Sequence, residues 1–199
     1  MVVVEPTHGI GAWEENMPKP FRRIVTANDA NGRSEVHLDG PATNELATVL
    51  TEMWVTDAGP HKHTDRVDHA AKSKSLEPPV GGSVFRFVRL PPVSAFAGMT
   101  DERREQRMAG VFAAMNAPHT RRDVSKSPGM HRTGTTDYII LLSGKVRLVL
   151  DKEERDLEPF DVVIQRGTNH AWINTGDDEA LLMAVLVDDG SARREGRRS

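Results

Sequence analysis

Between residues 129 and 174, short apolar runs alternate with turn residues at nearly regular intervals. Successive side chains of an extended strand point to opposite faces, so residues of one parity share a side. On that rule His131, Thr133, Thr135 and Asp137 line up together. Ile139 and Leu141 continue their side, and Tyr138 lies on the other. Val146, Leu148 and Leu150 alternate in the next run, a break follows over 151–155, and 161–164 is rich in β-branched residues. His170, Trp172 and Asn174 again share a parity. Ser143-Gly144 and Asp151-Lys152 mark tight turns. Strands this short and closely spaced leave no room for crossover helices, which predicts an antiparallel sandwich or small barrel.

Upstream, the same pattern predicts strands over 22–26, 34–38 and 52–56, with Asp39-Gly40-Pro41 stopping the second, and a short helix or irregular crossing over 42–50. The run SVFRFVRL over 83–90 is a clear strand whose Phe85 and Phe87 are expected in a core. One helix is predicted over 101–115, with Asp101 and Glu102 in its first turn and an apolar stripe of Met108, Val111, Phe112 and Met115. That stripe serves either as a lid over the barrel mouth or as packing against the outside of a sheet, and the second is the expectation. The run ALLMAVLV over 180–187 reads as a last strand buried on both faces. Residues 1–20, rich in Pro and Gly, read as an arm. The polar run 57–79 contains His61, His63, Asp65, Asp68 and His69, but Gly59, Pro60 and its charges mark a solvated loop rather than a metal cluster. Three regions result: an N-terminal extension with short strands over 1–80, a barrel over 81–190, and a disordered basic tail over 191–199.

Composition narrows the classes. At 199 residues, with 38% apolar residues and 16 glycines, the chain can bury one core. Its 26 basic and 29 acidic residues are balanced and form no basic stripe interleaved with aromatics, so no nucleic-acid partner is expected. No cysteine is present, which removes disulfides, thiolate metal sites and cysteine nucleophiles. No apolar run approaches the roughly 20 residues that span a bilayer, and Met1-Val-Val-Val is too short for a secretion signal. A cytoplasmic protein with no membrane partner is the expectation.

The spacing of the polar residues resembles the cupin superfamily. The first cupin motif, G-x5-H-x-H-x3-4-E-x6-G, is matched by His131, Thr133, Asp137 and Gly144, with Thr133 in the second histidine slot and Asp137 in the glutamate slot. The second, G-x5-P-x-G-x2-H-x3-N, is matched by Gln165, Gly167, His170 and Asn174, with one residue missing near the leading glycine. The resemblance implies an all-β double-stranded β-helix, the jelly-roll barrel of cupins, with an N-terminal β extension and one surface helix. It also implies a divalent metal ion (iron, manganese, zinc or nickel) held by His131, Asp137 and His170, or else a metal-free cavity in which the same side chains bond one another or a ligand. Thr133, Trp172 and Asn174 would line the substrate, although Trp172 is expected to pack and Asn174 could only satisfy a turn. Arg166 is read as an outward surface residue. The implied function is a metal-dependent enzyme on a small carbonyl, carboxylate or aromatic polyketide-type molecule, with lyase chemistry such as dehydration or decarboxylation. Without metal, His131 or His170 would be the general base, its proton affinity set by Asp137. The alternatives are an iron-dependent dioxygenase and a non-catalytic binder of small molecules. Exposed sheet edges favour a homodimer.

Overall fold

The computed structural model describes residues 20–59 and 66–190. The expectations for the N-terminal arm, for His61, His63 and Asp65, and for the basic tail lie outside the described residues. Every strand pair within them is antiparallel. A hairpin of β1 (Arg22–Asn28) and β2 (Ser34–Pro41) stands apart. The main wall has six strands in the order β3-β4-β5-β11-β6-β9: β3 (Glu45–Leu46), β4 (Leu50–Thr56), β5 (Ser83–Leu90), β11 (Ala180–Asp188), β6 (Thr135–Ser143) and β9 (Val162–Arg166). The second wall runs β10-β7-β8, from β10 (His170–Asn174), β7 (Val146–Leu150) and β8 (Glu154–Leu157). One core fills the space between the walls, with Val84, Leu141, Leu182 and Leu186 from the first meeting Val146, Leu157 and Trp172 from the second. This is the expected all-β double-sheet barrel. Strands β3 and β4 belong to its main wall, so the expected boundary at residue 81 does not interrupt the sheet.

Strand parity decides what enters the core. On β6, Thr135, Asp137, Ile139 and Leu141 are buried while Tyr138 is half exposed. On β11, Ala180, Leu182, Ala184 and Leu186 point inward, whereas Leu181, Met183 and Val185 are half buried and Val187 is exposed. The continuous apolar run therefore reflects an outer face that is itself apolar, not burial on both faces. Strand β5 reverses another expectation. Val84 and Arg86 enter the barrel, and Phe85 and Phe87 lie on the outer face, where Phe21 stacks on Phe87 at 4.2 Å between ring centroids. The expected break over 151–155 is instead a hairpin, with β8 paired to β7 from Glu154 onward.

On β4 an extra residue changes the register. Glu52 pairs with Arg86 and Trp54 with Phe85, so Met53 is a bulge. The bulge lets Leu50 and Glu52, and then Val55, all face inward. Its carbonyl accepts a hydrogen bond from Arg23 Nη1 at 3.0 Å, and Arg23 is ion-paired with Asp68, which ties β1 to the main wall. The crossing before β4 is irregular, with Ala47 and Thr48 at positive φ.

Helix α1 (Asp101–Ala114) is capped by Thr100, whose hydroxyl accepts from Arg103 N at 3.3 Å. Its Phe112, followed by Met115 and Ala117, packs on Leu46, Leu50 and Leu76. Through this cluster the apolar side of the helix joins β3 and β4 of the main wall.

Gly144, in the β6–β7 turn, has φ +89°, and a Cβ there would come within 2.6 Å of the Ala180 Cβ. Gly144→Ala is expected to lower the unfolding free energy by at least about 1–2 kcal/mol, from left-handed strain plus a clash with backbone. Urea unfolding at constant m would read this; an unchanged midpoint would mean that the turn relaxes at no cost.

Candidate functional site

His131 precedes β6 and His170 opens β10. The two residues form an isolated bridge across which each backbone N–H donates to the other's carbonyl at 2.9 Å. That bridge joins the first motif region to the second and sets the imidazoles side by side, with centroids 4.3 Å apart and planes at 48°. Each ring is oriented by its own turn. His131 Nδ1 donates to Gly129 O and His170 Nδ1 donates to Thr168 O, both at 2.9 Å. A carbonyl oxygen can only accept, so both rings carry their proton on Nδ1 and keep the Nε2 lone pair. Gln165 Nε2 donates to the same Thr168 carbonyl at 3.0 Å and steadies it.

Burial holds both rings neutral. It lowers the pKa of His131 below 6.5, helped by the charge of Arg121 and opposed by the bond to Gly129. It lowers that of His170 well below 6.5, helped by His131 itself. His170 is buried, and His131 is half buried.

Aromatic rings continue on both sides of the pair. Phe112 of α1 lies 5.0 Å from His131, and Trp172 stands edge-on to His170 at 5.5 Å. Arg121 spans Phe112 at 5.6 Å, bonds Glu105 at 2.7 Å and donates to Pro128 O at 2.9 Å, linking the helix to the loop that leads into His131. Phe112 was expected to be packing alone; a residue of the helix stripe is in fact in contact with a site histidine.

Thr133, in the slot of the second cupin histidine, shares a hydrogen bond with Thr135 at 2.7 Å, and Thr135 bonds Asp137. The run from His131 to Asp137 is therefore a line of hydroxyls on one side of the chain. Asp137 is pushed from 3.8 up to about 6, chiefly by burial, with the bond from Thr135 and the charge of Arg86 opposing the rise. Its Oδ1 has no hydrogen-bond partner. Asn174 commits its amide to a turn: Nδ2 donates to Leu90 O at 2.8 Å and to Asp178 O at 2.7 Å, and Oδ1 accepts from Gly176 N at 2.9 Å. Trp172 packs against the barrel core, and Arg166 is exposed. In the polar loop, Asp68 pairs with Arg23, and His69 with Asp57 at 2.9 Å.

The metal set implied by the resemblance is not assembled. The structure brings His131 and His170 together, but no group of three or more His, Asp or Glu side chains is placed to hold an ion among the described residues. Asp137 sits with Thr135 and in the field of Arg86 instead. A protein site for a divalent ion ordinarily supplies at least three ligands, so the two imidazoles alone do not fit one.

Two interior residues escaped the parity reading. Glu52 and Arg86 are each 1% exposed and form an ion pair of 2.9 Å in the main wall. The signal available in the sequence was Arg86 itself, in phase with Val84 and Val88 in an otherwise apolar strand.

The raised pKa of Asp137 sets a pH signature. A group whose folded value lies above its unfolded one stabilises fully below the unfolded value and loses that contribution as pH rises through the folded one. The window runs from 3.8 to about 6, which at about 1.4 kcal/mol per unit is about 3 kcal/mol. Asp137→Asn is therefore expected to gain about 1–3 kcal/mol over the wild type at pH 8, and much less at pH 4. Melting temperatures of both proteins across that range would read it; a difference independent of pH would show that Asp137 ionises normally.

Residues 122–186 match the family model Cupin_2, described as a cupin domain. Phomopsin biosynthesis cluster protein C′ of Diaporthe leptostromiformis is 54% identical over 46 residues, covering 23% of this chain and 24% of that protein. A cupin-domain-containing oxidoreductase of Aspergillus ruber is 34% identical over 73 residues, covering 35% and 36%. The chain thus spans only about a quarter to a third of the curated relatives it matches. Among solved structures, the Cnp3 cupin domain of Schizosaccharomyces pombe is 12% identical with a TM-score of 0.43, over 88% of this chain and 93% of that one, a distance at which no chemistry transfers. What the family model matches is the segment that carries both histidines and Asp137, and over that segment the chain is similar to a cupin domain.

Proposed function

We propose that the chain is an enzyme acting on a small organic molecule at the His131–His170 pair, with lyase-type chemistry that begins by removing a proton beside a carbonyl or carboxylate. The single observation that carries this reading is the shared tautomer. Two backbone carbonyls hold both Nδ1 protons, which leaves two basic Nε2 atoms in one place, both on neutral rings. A neutral imidazole is a general base near physiological pH, worth roughly 10²–10⁴ in rate where it is positioned. His131, the less buried of the two residues, takes the proton at Nε2, and the C–H electron pair moves into the enolate of the substrate. His170 keeps the tautomer and orientation of the pair, and burial of both rings disfavours a second charge beside the first. The enolate pair then forms a C=C bond to the adjacent carbon as the C–O bond there breaks, and the departing hydroxyl takes the proton back from His131 Nε2 to leave as water, which returns the ring to its neutral form and completes a dehydration. The names of the relatives support small-molecule biosynthesis as the setting, since they include biosynthesis cluster proteins.

A second reading is favoured by one observation: several of those relatives are named cupin-domain-containing oxidoreductases. Net oxidation needs an electron acceptor, whereas proton abstraction followed by dehydration does not.

The readings separate in one set of measurements. In deuterated solvent, the protein is expected to exchange the α-protons of carbonyl probes such as 2-oxo acids and aryl ketones, followed by NMR. His131→Ala and His170→Ala should each slow that exchange by about tenfold or more with the fold retained. Exchange in the variants equal to that of the wild type would discard the site. Consumption of dioxygen or of an added acceptor, in step with substrate loss, would favour the oxidoreductase. Protein purified without an affinity tag is expected to carry less than about a tenth of an equivalent of divalent metal, in line with the donor count; a full equivalent lost in His131→Ala would overturn the acid–base reading.

A further inference from the structure

Strand β9 is the last of the main wall, and its second edge pairs with no strand among the described residues. Proteins ordinarily blunt such an edge with lysine, proline or inward-pointing charge. Here Val162, Val163 and Ile164 follow one another, and Val162 and Ile164 are 59% and 48% exposed. On the β6 side, Leu141 N donates to Asp161 O at 3.1 Å. Alternation along the strand then turns the N–H and C=O groups of Val162, Ile164 and Arg166 toward the free edge. The chain enters β9 through a bulge: Phe160 N donates to Leu141 O at 2.6 Å, so Leu141 stands opposite both Phe160 and Asp161. The first residue of such a bulge is left-handed and is usually glycine. Here it is Phe160, at φ +75° and 78% exposed. A side chain in that conformation costs about 1–2 kcal/mol, and Phe160 gains little burial within the chain to offset it. The outer face behind the edge is apolar as well. Ile164 lies beside Tyr138, Tyr138 beside Val185, and Val185 beside Phe85.

We propose that the free edge of β9 is the pairing surface for a second copy of this chain, joined antiparallel about a two-fold axis at Val163. A strand that meets its own copy must be complementary to itself when reversed, and this one is. The pairing sets Val162 against Ile164 of the second copy and the reverse, so their outward backbone groups exchange hydrogen bonds and their side chains adjoin on the outer face. The neighbouring register, centred on Ile164, would set each Val162 against an arginine. Charge agrees with the reversal. Exposed Glu158 and Asp161 lie at one end of the strand and exposed Arg166 at the other, so each acidic end meets a basic one. Phe160 falls level with Arg166 of the second copy, a phenyl ring beside a guanidinium, and supplies the aromatic anchor of the contact. The surface is independent of the enzyme reading but lies close to its site. Gln165, between Ile164 and Arg166, is buried and holds the Thr168 carbonyl that accepts from His170 Nδ1, so the pairing braces the strand that orients the buried imidazole.

The test uses the full chain in sedimentation velocity at about 1 to 100 μM. The wild type is expected to form a particle of twice the 22.0 kDa chain mass. Ile164→Pro leaves β9 an edge strand but removes an outward N–H. Phe160→Gly removes the anchor and suits the left-handed position. Each should raise the dissociation constant of the dimer about tenfold or more, with the circular dichroism of the fold retained. If a variant does not fold, amide exchange in the wild type decides. Read by mass spectrometry, the N–H groups of Val162 and Ile164 should exchange about tenfold or more slowly at the high end of that range than at the low end. A 22.0 kDa particle at every concentration would overturn the proposal. So would a dimer whose affinity neither variant changes, because the copies would then meet elsewhere. Protection of the edge that does not depend on concentration would overturn it too, since the cover would then come from within one chain.

Discussion

A guanidinium and a carboxylate lie against one another on neighbouring strands with almost no contact with water. Such a pair repays its desolvation only where geometry and further hydrogen bonds are good, and separating the partners costs more than forming the pair gains. Strands β4 and β5 therefore cannot slide, since a shift of one residue would turn every side chain to the opposite face and strand both charges. The Met53 bulge is the local adjustment that makes the pairing possible. It admits Glu52 and still leaves Val55 in the apolar core. Arg23 then holds the bulge through its carbonyl, so the outlying hairpin is coupled to the register of the main wall.

The same interior brings two kinds of chemistry into one small container. On one side, two neutral imidazoles are fixed by backbone carbonyls and flanked by Phe112 and Trp172. On the other, Arg86 and two acids share a region of low polarity. Asp137 joins them in sequence and space, because Thr133 and Thr135 run along its strand from His131. In the cupin motif those two slots, 137 and 133, carry glutamate and histidine. With aspartate and threonine in those slots, the polar line is a hydroxyl chain that ends near a cation.

Much of this was legible in the chain. The alternation of Thr135, Asp137, Ile139 and Leu141 gave the inner face of β6, and the spacing of His131 and His170 foretold two distant residues meeting. What was hidden has definite causes. A bulge has no reliable mark in sequence, so the parity of β4 could not be followed through Met53. On β5 both parities are largely apolar, and the phenylalanines looked like the better core residues. They cover the outer face instead, under Phe21, because Arg86 has a partner inside and they do not. Burial on β11 misled for the same reason: an apolar outer face imitates a strand covered on both sides. The role of Phe112 depended on where the helix docks, which periodicity alone does not specify.

The edge-on approach of Trp172 to His170 has one more consequence. Indole emission is sensitive to a neighbouring imidazole and is quenched more strongly when that ring acquires a second proton. The barrel thus contains an optical gauge of the charge on its most buried histidine, built from a side chain whose main duty is to fill space.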